Sequence, residues 1–350
     1  LQLDAIKIAK SLNFFVFGFD KQKNSPGKNL CDKFYNIDCL RVDLISKILL
    51  SKKKYSYKTI WANNDIIIES RCKLEQLLKI EHARSSLAIC KNFLDKKKFK
   101  TKFNSKLIIL NTHTKFPKIG KPSIGSGSAG VKLFKNKYEI NEKENLILED
   151  YVNGTEFGLN YFNTKKNFFI LPVVKRYFDH KKSFVPLGTS TYFGGKVNLF
   201  HNFFKNFLKD KKIYGPIKVD VIVNNTQKKI IELSNRFHGE IDTTHVFNYI
   251  NFPLCKIFFK YLINSEIPEK LNKNDYIGYF SVFKKKIENQ KINRIFNKYN
   301  LLYLKTIHKK DSIYQQIPSS TNNIMIYIFF KSNKEINKKN FYNISTELNE

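Results

Sequence analysis

Residues 215–239 read GPIKVDVIVNNTQKKIIELSNRFHG. The polar turn in the middle of this stretch separates two apolar segments, which predicts a β-hairpin with strands Ile217–Val223 and Ile230–Leu233. Asp220 and Glu232 each alternate with apolar residues, so both can lie on one face of the paired strands. The pattern therefore predicts two carboxylates that face one site.

A pair of carboxylates on one face suits a hard cation. Acids are scarce in this chain, with 30 against 62 basic residues, so Asp220 and Glu232 together suggest Mg²⁺ held by carboxylate and nucleotide phosphate oxygens. Arg236 follows shortly after Glu232, and its charge suits a transferring phosphoryl group. Two acids that only balance nearby lysines are the alternative.

A loop rich in glycine and serine precedes the hairpin at residues 123–131, which read SIGSGSAGV. Its main-chain N–H groups are unshielded and could wrap around a phosphate. The candidate residues are Gly125, Ser126, Gly127, Ser128 and Gly130. The loop matches neither the P-loop nor the dinucleotide pattern, because the chain after it returns to a strand and not to a helix. A flexible hairpin turn is the alternative.

Two further segments lie on either side of this loop. Lys121 belongs to the predicted strand Lys118–Pro122, and the proline after it holds this lysine extended. The predicted strand Leu146–Tyr151 ends in acids, turns at Asn153-Gly154 and resumes with Glu156. Its main chain could meet the edge of a base, and its carboxylates could reach a ribose or an amino group. A surface lysine and an ordinary hairpin are the alternatives.

The start of the chain suggests half of a doubly wound α/β unit. A helix from Leu3 is followed by a buried strand at Phe14–Asp20 that ends in an acid, and by a short parallel strand at Thr59–Ala62. Helical spacing then covers Glu69–Phe93 and, more weakly, Asp95–Lys106.

From residue 107 the pattern becomes rich in strands. The further predicted strands are Leu107–Leu110, Phe157–Phe162 and Phe168–Val174, and the further predicted helices are His201–Lys211 and Thr244–Leu262. The last 80 or so residues hold short apolar runs, the clearest at Ile324–Phe330. These runs predict a small β-rich closing domain.

The formal charge of +32 raises the question of a nucleic acid partner. Only six of the 62 basic residues are arginine, and the lysines are spread along the whole chain. Phosphate readers tend to use arginine, whose planar fork binds two oxygens. We therefore interpret the charge as a solvated surface and expect no nucleic acid partner. Salt-dependent binding of polyanions stays the alternative.

Cysteine usage and hydropathy indicate the compartment. The five cysteines include no CxxC pair, so they give neither a zinc ligand set nor a disulfide framework and indicate a reducing cytoplasm. No apolar run approaches the roughly 18 residues of a membrane span. Hydrophobic residues make up 42% of the chain, which is enough for the cores of two or three domains.

Together these segments resemble the ATP-grasp family. The resemblance rests on Gly120-Lys121-Pro122, the loop Gly125–Val131, the stretch Glu149–Glu156 and the hairpin acids with Arg236. It is closest to the carboxylate–amine ligase branch, which includes carbamoyl-phosphate-synthetase-like and purine-biosynthesis ligases. The expected fold class is α+β and α/β, with a Rossmann-like domain lacking its first strand (1–78), an ATP-grasp domain (79–268) and a β-rich closing segment (269–350).

The resemblance implies how a nucleotide would be held. Lys121 would contact the α- and β-phosphates, and the loop from Gly125 to Gly130 would close over the β- and γ-phosphates. Adenine would contact Glu149 and the main chain near Tyr151 and Val152, and Glu156 would hold the ribose.

The resemblance also implies the metal site and the catalytic residues. Asp220 and Glu232 would bind Mg²⁺ or Mn²⁺, and Arg236, with Lys121, would stabilise the acyl-phosphate transition state. Ser234 stands where the family often has an asparagine, so the third metal ligand is either Ser234 or the neighbouring Asn235. A second ATP-binding basic residue is expected upstream of Lys121 and is left unassigned. Lys96 follows an aspartate, as this residue often does in the family, but Lys79, His82 and Arg84 are also nearby, and the register within Lys96–Lys98 is open.

The resemblance implies an ATP-dependent ligase that acts in the cytoplasm on a small-molecule carboxylate and an amine, with a homodimer left open. A non-catalytic nucleotide-binding relative and a polyanion-binding protein are the alternatives. His180, His201, His238 and His245 lack metal-ligand spacing. Arg176 could face a substrate carboxylate, and the loop Pro186–Thr191 could line the acceptor site.

Overall fold

The computed structural model describes residues 3–80, 85–102, 106–109, 115–141, 144–179, 183–239, 241–250, 252–264, 275–284, 286–297, 300–306 and 321–350. The helices are α1 (Leu3–Ser11), α2 (Val42–Ser51), α3 (Ile68–Leu77), α4 (Leu87–Leu94), α5 (Lys96–Lys102), α6 (Asn198–Asp210), α7 (Phe247–Tyr249), α8 (Leu254–Asn264), α9 (Asn289–Phe296) and α10 (Lys338–Asn349). The strands are β1 (Phe17–Phe19), β2 (Lys33–Tyr35), β3 (Lys118–Pro122), β4 (Lys132–Phe134), β5 (Leu146–Asp150), β6 (Thr155–Asn163), β7 (Phe168–Ile170), β8 (Val173–Tyr177), β9 (Gly188–Tyr192), β10 (Gly215–Val223), β11 (Lys228–Ser234), β12 (Tyr276–Val282), β13 (Asn300–Thr306) and β14 (Ile326–Ser332).

A large antiparallel sheet carries the predicted hairpin. Within the described residues it has nine strands in the order β11-β10-β6-β8-β9-β12-β14-β13, with β7 paired to β6. The hairpin strands are β10 and β11, which confirms the prediction. Helix α6 packs on this sheet through Phe200, Phe204 and Leu208, which are buried because residues four apart lie on one helix face.

A separate three-stranded sheet carries Lys121 and Glu149. Its order is β4-β3-β5, and both pairs are antiparallel. The loop between β3 and β4 is the glycine- and serine-rich loop, so the predicted return to a strand after it is confirmed.

The N-terminal region contains the parallel pair of β1 and β2. The predicted strand Phe14–Asp20 is confirmed in its central part, Phe17–Phe19. The second predicted strand, Thr59–Ala62, is wrong, because these described residues form no strand. A cavity of about 600 Å³ is lined by both segments and lies between them, whereas a ladder requires main chains about 5 Å apart.

Prolines interrupt two predicted elements. The predicted helix Thr244–Leu262 is divided into a π-helical turn, α7 and α8, and α8 begins directly after Pro253, which has no N–H to continue a helix. The predicted strand Phe168–Val174 is divided into β7 and β8 at Pro172, which cannot donate to the ladder.

Two helical predictions are longer than the helices that form. Glu69–Phe93 contains nearly all of α3 and of α4 with a break between them, and residues 81–84 lie outside the described residues. Only α5 forms within Asp95–Lys106, and residues 103–105 of this segment are likewise outside them.

The predicted strand Leu107–Leu110 is wrong in its described part. Ile108 makes only an isolated parallel bridge to Ile230 of β11, and Leu110 lies outside the described residues. A single bridge gives no ladder, so this segment only touches the edge of the large sheet.

The C-terminal part contains β12, β13 and β14, and also the helices α9 and α10. Strands β12 and β14 continue the large sheet from β9, so the sheet crosses the boundary predicted at residue 269. The rings of Tyr177 and Phe341 stack at 3.8 Å and attach α10 to β8. The domain boundaries themselves stay predictions. Among the described helices, none has the length and apolar character needed to cross a membrane.

Candidate functional site

Asp220 and Glu232 lie directly opposite each other on β10 and β11. Opposite residues of an antiparallel pair point to the same face, so the predicted shared face is confirmed. Lys218 also lies on this face, and its Nζ is 3.0 Å from Oδ2 of Asp220 and 2.6 Å from Oε1 of Glu232. The two carboxylates thus converge on one cationic nitrogen.

This convergence tests whether Asp220 and Glu232 fit a metal ion. Oxygens of both side chains contact one positive atom, which is the donor arrangement that a hard cation requires. Within the described ranges, no three His, Cys, Asp or Glu side chains are grouped as a metal-binding set. The pair therefore fits Mg²⁺ or Mn²⁺ only if the other ligands are substrate oxygens or water.

Asp220 is surrounded by basic side chains. Arg176 Nη1 and His238 Nε2 each lie 2.8 Å from its Oδ1, and Lys218 contacts its other oxygen. Burial raises the pKa of Asp220, but Arg176, Lys218 and His238 outweigh it and hold this pKa well below the usual range. The carboxylate is therefore ionised and held in one orientation.

His238 reaches Asp220 through the space that Gly158 leaves on β6. A Cβ at Gly158 would lie 2.7 Å from Nε2 of His238. Asn160 Oδ1 accepts from the main-chain N–H of His238 at 3.0 Å and lies 2.9 Å from Nδ1. Burial lowers the pKa of His238 to about 3 although Asp220 opposes the shift, so the imidazole is neutral and donates through only one of its two ring nitrogens.

Lys96 connects the glycine- and serine-rich loop to the hairpin. Its Nζ donates to the carbonyl oxygen of Gly125 at 2.9 Å and lies 4.0 Å from Oε2 of Glu232. Asp95 fixes the start of α5, since its Oδ1 accepts from the N–H groups of Lys97 and Lys98. The loop and Glu232 therefore meet at the same ammonium group.

Glu149 pairs with two lysines, one from the small sheet and one from helix α5. Lys121 Nζ is 2.6 Å from its Oε1, and Lys100 of α5 pairs with the same oxygen. Burial lowers the pKa of Lys100 to about 8. Lys121 is also 3.5 Å from the carbonyl oxygen of Ile231 on β11. The small sheet thus presents its lysine toward the hairpin.

The glycine- and serine-rich loop passes through the left-handed region of backbone space. The φ angles are 64° at Gly127, 63° at Ser128 and 73° at Gly130, and glycine adopts such angles without strain. The carbonyl of Gly127 accepts from the N–H of Thr321 at 2.9 Å. The C-terminal part of the chain therefore holds the tip of this loop.

The strand and turn around Glu149–Glu156 form several contacts within the protein. The main-chain N–H of Tyr151 donates to the carbonyl of Pro117 at 3.0 Å, so it is engaged within the protein. Glu156 lies opposite Arg176 on β6 and β8. Burial raises the pKa of Glu156 to about 7, although Arg176 opposes the shift.

Arg236 is held by Asp65 of the N-terminal region. Nε of Arg236 is 2.8 Å from Oδ1 of Asp65 and Nη2 is 2.5 Å from Oδ2, while Nη1 donates to the carbonyl of Phe237 at 2.9 Å. Ser234 Oγ donates to the same Oδ1 at 2.7 Å. Burial raises the pKa of Asp65, but Arg236 outweighs it and keeps this pKa far below the ordinary value.

The side chains of Ser234 and Asn235 are directed at protein partners. Asn235 Oδ1 accepts from Arg71 Nη2 at 2.9 Å, and its Nδ2 lies 3.0 Å from the carbonyls of both Tyr214 and Pro216. Asn235 is only 1% exposed, and its bonds fix the turn. Ser234 Oγ is likewise engaged, with Asp65, so the choice of a third metal ligand stays a prediction.

A row of polar side chains extends from the acids across the large sheet. Arg176, Thr189 and Tyr279 are successive partners on β8, β9 and β12, and Thr189 Oγ1 donates to Asp242 at 3.3 Å. Burial raises the pKa of Asp242 to about 6. The segment Pro186–Thr191, which was expected to be a loop that lines the acceptor site, lies mostly in strand β9.

Two other histidines in the described part of the chain contact residues other than Asp220 and Glu232. His201 Nδ1 is 3.0 Å from the hydroxyl of Tyr161, and His245 contacts Tyr303 and Asp4. His180 lies outside the described residues.

Comparisons with known proteins agree with this arrangement. A sequence comparison with curated proteins finds no match. A family model of the ATP-grasp domain matches residues 86–240, which include Lys96, Lys121, both hairpin acids and Arg236. These residues are therefore an ATP-grasp domain, and the chain has the fold of the ATP-grasp superfamily.

Solved structures match along nearly the whole chain. The L-amino acid ligase from Bacillus licheniformis has a TM-score of 0.76 at 12% identity and covers 99% of this chain and 94% of its own. N5-carboxyaminoimidazole ribonucleotide synthetase from Thermotoga maritima has 0.71 at 15%, covering 99% and 96%. The biotin carboxylase domain of the Hydrogenobacter thermophilus 2-oxoglutarate carboxylase, solved with MgADP, ADP and bicarbonate, has 0.67 at 13%, covering 95% and 84%.

Proposed function

We propose that the protein is a cytoplasmic ATP-dependent ligase that uses Mg²⁺ or Mn²⁺ and joins a carboxylate to an amine. The position of Lys96 carries the proposal, because this lysine contacts both Gly125 of the loop and Glu232 of the hairpin. A phosphate-binding loop, lysines and metal-binding acids at one cleft are the parts that phosphoryl transfer needs. Ligases and a MgADP-bound carboxylase domain among the structural matches support the same reaction class.

The triphosphate would lie along Lys96, Lys100 and Lys121, with the loop Gly125–Gly130 over it. Ammonium groups attract phosphate oxygens strongly in a cleft with little water. Glu149 pairs with both Lys100 and Lys121 and so holds their ammonium groups close together. Lys121 takes the predicted contact with the α- and β-phosphates, and Lys96 is the second ATP-binding basic residue.

Adenine and the ribose would lie along strand β5 and the turn that follows it. Since the N–H of Tyr151 is bonded to Pro117, the main-chain contact to adenine is assigned to Val152, beside Glu149. Glu156 would accept from a ribose hydroxyl.

The metal and the reacting groups would lie on the hairpin. Asp220 and Glu232 would hold the ion, and Arg236 would neutralise charge as the phosphoryl group moves. When bound, Mg-ATP supplies the phosphoryl group that converts the substrate carboxylate into an acyl phosphate, which an amine can attack. The residues of this chain contribute positioning and charge neutralisation.

The test is a screen for ADP release with amino acids, hydroxy acids and sugar acids, each with and without amines. We expect at least one acid to stimulate ADP release, and we expect Glu232→Gln to abolish it without unfolding the protein. Glu144→Gln is the matched control, because Glu144 pairs with Lys132 at 2.7 Å on the surface. Near wild-type turnover of Glu232→Gln would contradict the metal assignment.

Two outcomes would favour the alternatives. Binding of Mg-ATP without ADP release in any mixture would indicate a non-catalytic nucleotide-binding relative. Steeply salt-dependent binding of RNA or DNA that Asp220→Asn leaves unchanged would indicate a polyanion-binding protein.

A further inference from the structure

The fork between Arg236 and Asp65 joins regions that are far apart in the chain. Asp65 begins a short 3₁₀ turn that Asn64 caps by accepting from the N–H of Ile66. Its two carboxylate oxygens face Nε and Nη2 of Arg236. Such a bidentate pair fixes the plane and the direction of a guanidinium group.

The hydrogen bonds of Arg236 determine which of its N–H groups remain available to a ligand. A guanidinium has five N–H donors, and the fork with Asp65 and the bond to Phe237 use one edge and part of a second. Ser234 Oγ holds Asp65 itself through Oδ1. Arg236 is only 8% exposed, so the side chain has little freedom beyond this orientation.

Two further hydrogen bonds join the N-terminal segment to the turn after β11. Asn63 Nδ2 donates to the carbonyl of His238 at 2.8 Å, and Arg71 donates to Asn235. Asp65 is thus the middle contact of three, and it is the one that touches the arginine assigned to the reaction.

We propose that Asp65 is a positioning residue that aims Arg236 at the reacting phosphoryl group, so that the N-terminal region is part of the catalytic unit. The inference rests on the proposed ligase function. A misplaced catalytic group can cost about 100-fold in rate, so loss of the fork lowers kcat while the binding of ATP, which depends on the lysines, is retained.

The first test observes the fork directly and needs no substrate. The chain has only six arginines, so the Nε–Hε signals in a ¹⁵N NMR spectrum can be assigned with Arg236→Lys. We expect a slowly exchanging Arg236 signal that shifts and exchanges at least about 10-fold faster in Asp65→Asn. Asp43→Asn is the matched control, since it breaks an exposed fork with Arg41 at 3.0 and 2.8 Å, and it should leave the Arg236 signal unchanged.

The second test separates positioning from stability. With an acid that stimulates ADP release, we expect Asp65→Asn to lower kcat by about 100-fold with the KM for ATP within about 2-fold, and Asp65→Glu to recover part of the loss. Asp65→Asn and Arg236→Lys should be non-additive when combined, because both act through one group.

Each outcome has one meaning. If the wild type releases no ADP with any acid, the ligase proposal fails, and the NMR test still decides whether Asp65 orients Arg236. If the wild type turns over and Asp65→Asn keeps its kcat, or if the Arg236 signal is unaffected, Asp65 is not a positioning residue.

Discussion

Lys218 and Glu232 form an ion pair of 2.6 Å on adjacent strands, and the same ammonium is 3.0 Å from Asp220. The lysine therefore bridges the two carboxylates that are assigned to the metal, and Arg176 supplies a second positive charge to Asp220. A divalent cation at these oxygens would compete with this contact, because both need the same lone pairs. The stability of the ligand-free protein and its response to Mg²⁺ are thus expected to be linked through Lys218.

The first prediction concerns Lys218→Met. Without the ammonium, Asp220 keeps Arg176 and His238 while the half-buried Glu232 loses its nearest cation, so we expect a loss of about 2 kcal/mol in the free energy of unfolding without metal. Saturating Mg²⁺ should recover much of it, since a ligand that binds only the folded state stabilises it. Thermal unfolding with and without Mg²⁺ measures both effects.

The control for this experiment is Lys132→Met, which breaks an exposed pair with Glu144. Exposed pairs contribute less than about 1 kcal/mol, and this one is remote from the acids. An equal Mg²⁺-induced shift in the wild type and in Lys218→Met would show that Lys218 and the metal do not share the two carboxylates.

The hairpin and its two acids could be predicted from local sequence, but their exact pairing could not. A regular ladder from the turn, in which Val221 pairs with Ile230, would place Asp220 opposite Ile231. A register shift at Asp220 and Val221 brings Glu232 opposite Asp220 instead. Asp65 could not be predicted in this way, because it contacts Arg236 across 171 positions of the chain, and the register of such a contact depends on the packing of whole elements. The incorrect prediction of a strand at Thr59–Ala62 has the same cause, because the pairing of a strand depends on which segment the fold places beside it.

The sequence also could not show which lysine at the start of helix α5 contacts the loop and the hairpin. Lys96, Lys97 and Lys98 are identical in type, and the three positions differ only in the direction each takes from helix α5. Asp95 settles this direction by capping the first turn through the N–H groups of Lys97 and Lys98. The structure thereby selects Lys96 as the member that meets the loop and the hairpin.

The second prediction is a pH dependence of stability caused by Glu156. Its pKa is raised by burial from 4.5 to about 7, so the folded protein keeps a proton that the unfolded chain loses. The contribution of Glu156 to the free energy of unfolding is complete below pH 4.5 and is lost as the pH rises to about 7. The expected change is at most about 3 kcal/mol.

Chemical denaturation of the wild type and Glu156→Gln between pH 4.5 and 7.5 measures this change. The difference between the two unfolding free energies should vary over that interval and level off above about pH 7. Asp242→Asn is the comparison, because burial raises the pKa of Asp242 to about 6 and its difference curve should level off earlier. Parallel curves for wild type and Glu156→Gln would contradict the prediction.

The third prediction concerns Gly158→Ala. The added Cβ would lie 2.7 Å from Nε2 of His238 and 2.8 Å from Val174, so His238 must move away from Asp220. Such overpacking typically costs about 1–3 kcal/mol, and urea denaturation measures it. Gly239→Ala is the control, because a Cβ there meets nothing within 4 Å. Equal midpoints for both variants would show that His238 does not need the space above Gly158.

The last prediction tests the residue that carries the proposed function. Lys96→Gln removes an ammonium that contacts Gly125 and Glu232, so we expect the affinity for Mg-ATP, measured by calorimetry, to fall by about 10- to 100-fold. Lys97→Gln removes the same charge from the next position of the same helix, where the side chain is exposed. Because both variants change the net charge equally, any general attraction of a polyanion to the basic surface falls equally in both. A selective loss in Lys96→Gln would therefore establish a direct contact with the nucleotide, whereas equal losses would mean that Lys96 acts only through the overall charge.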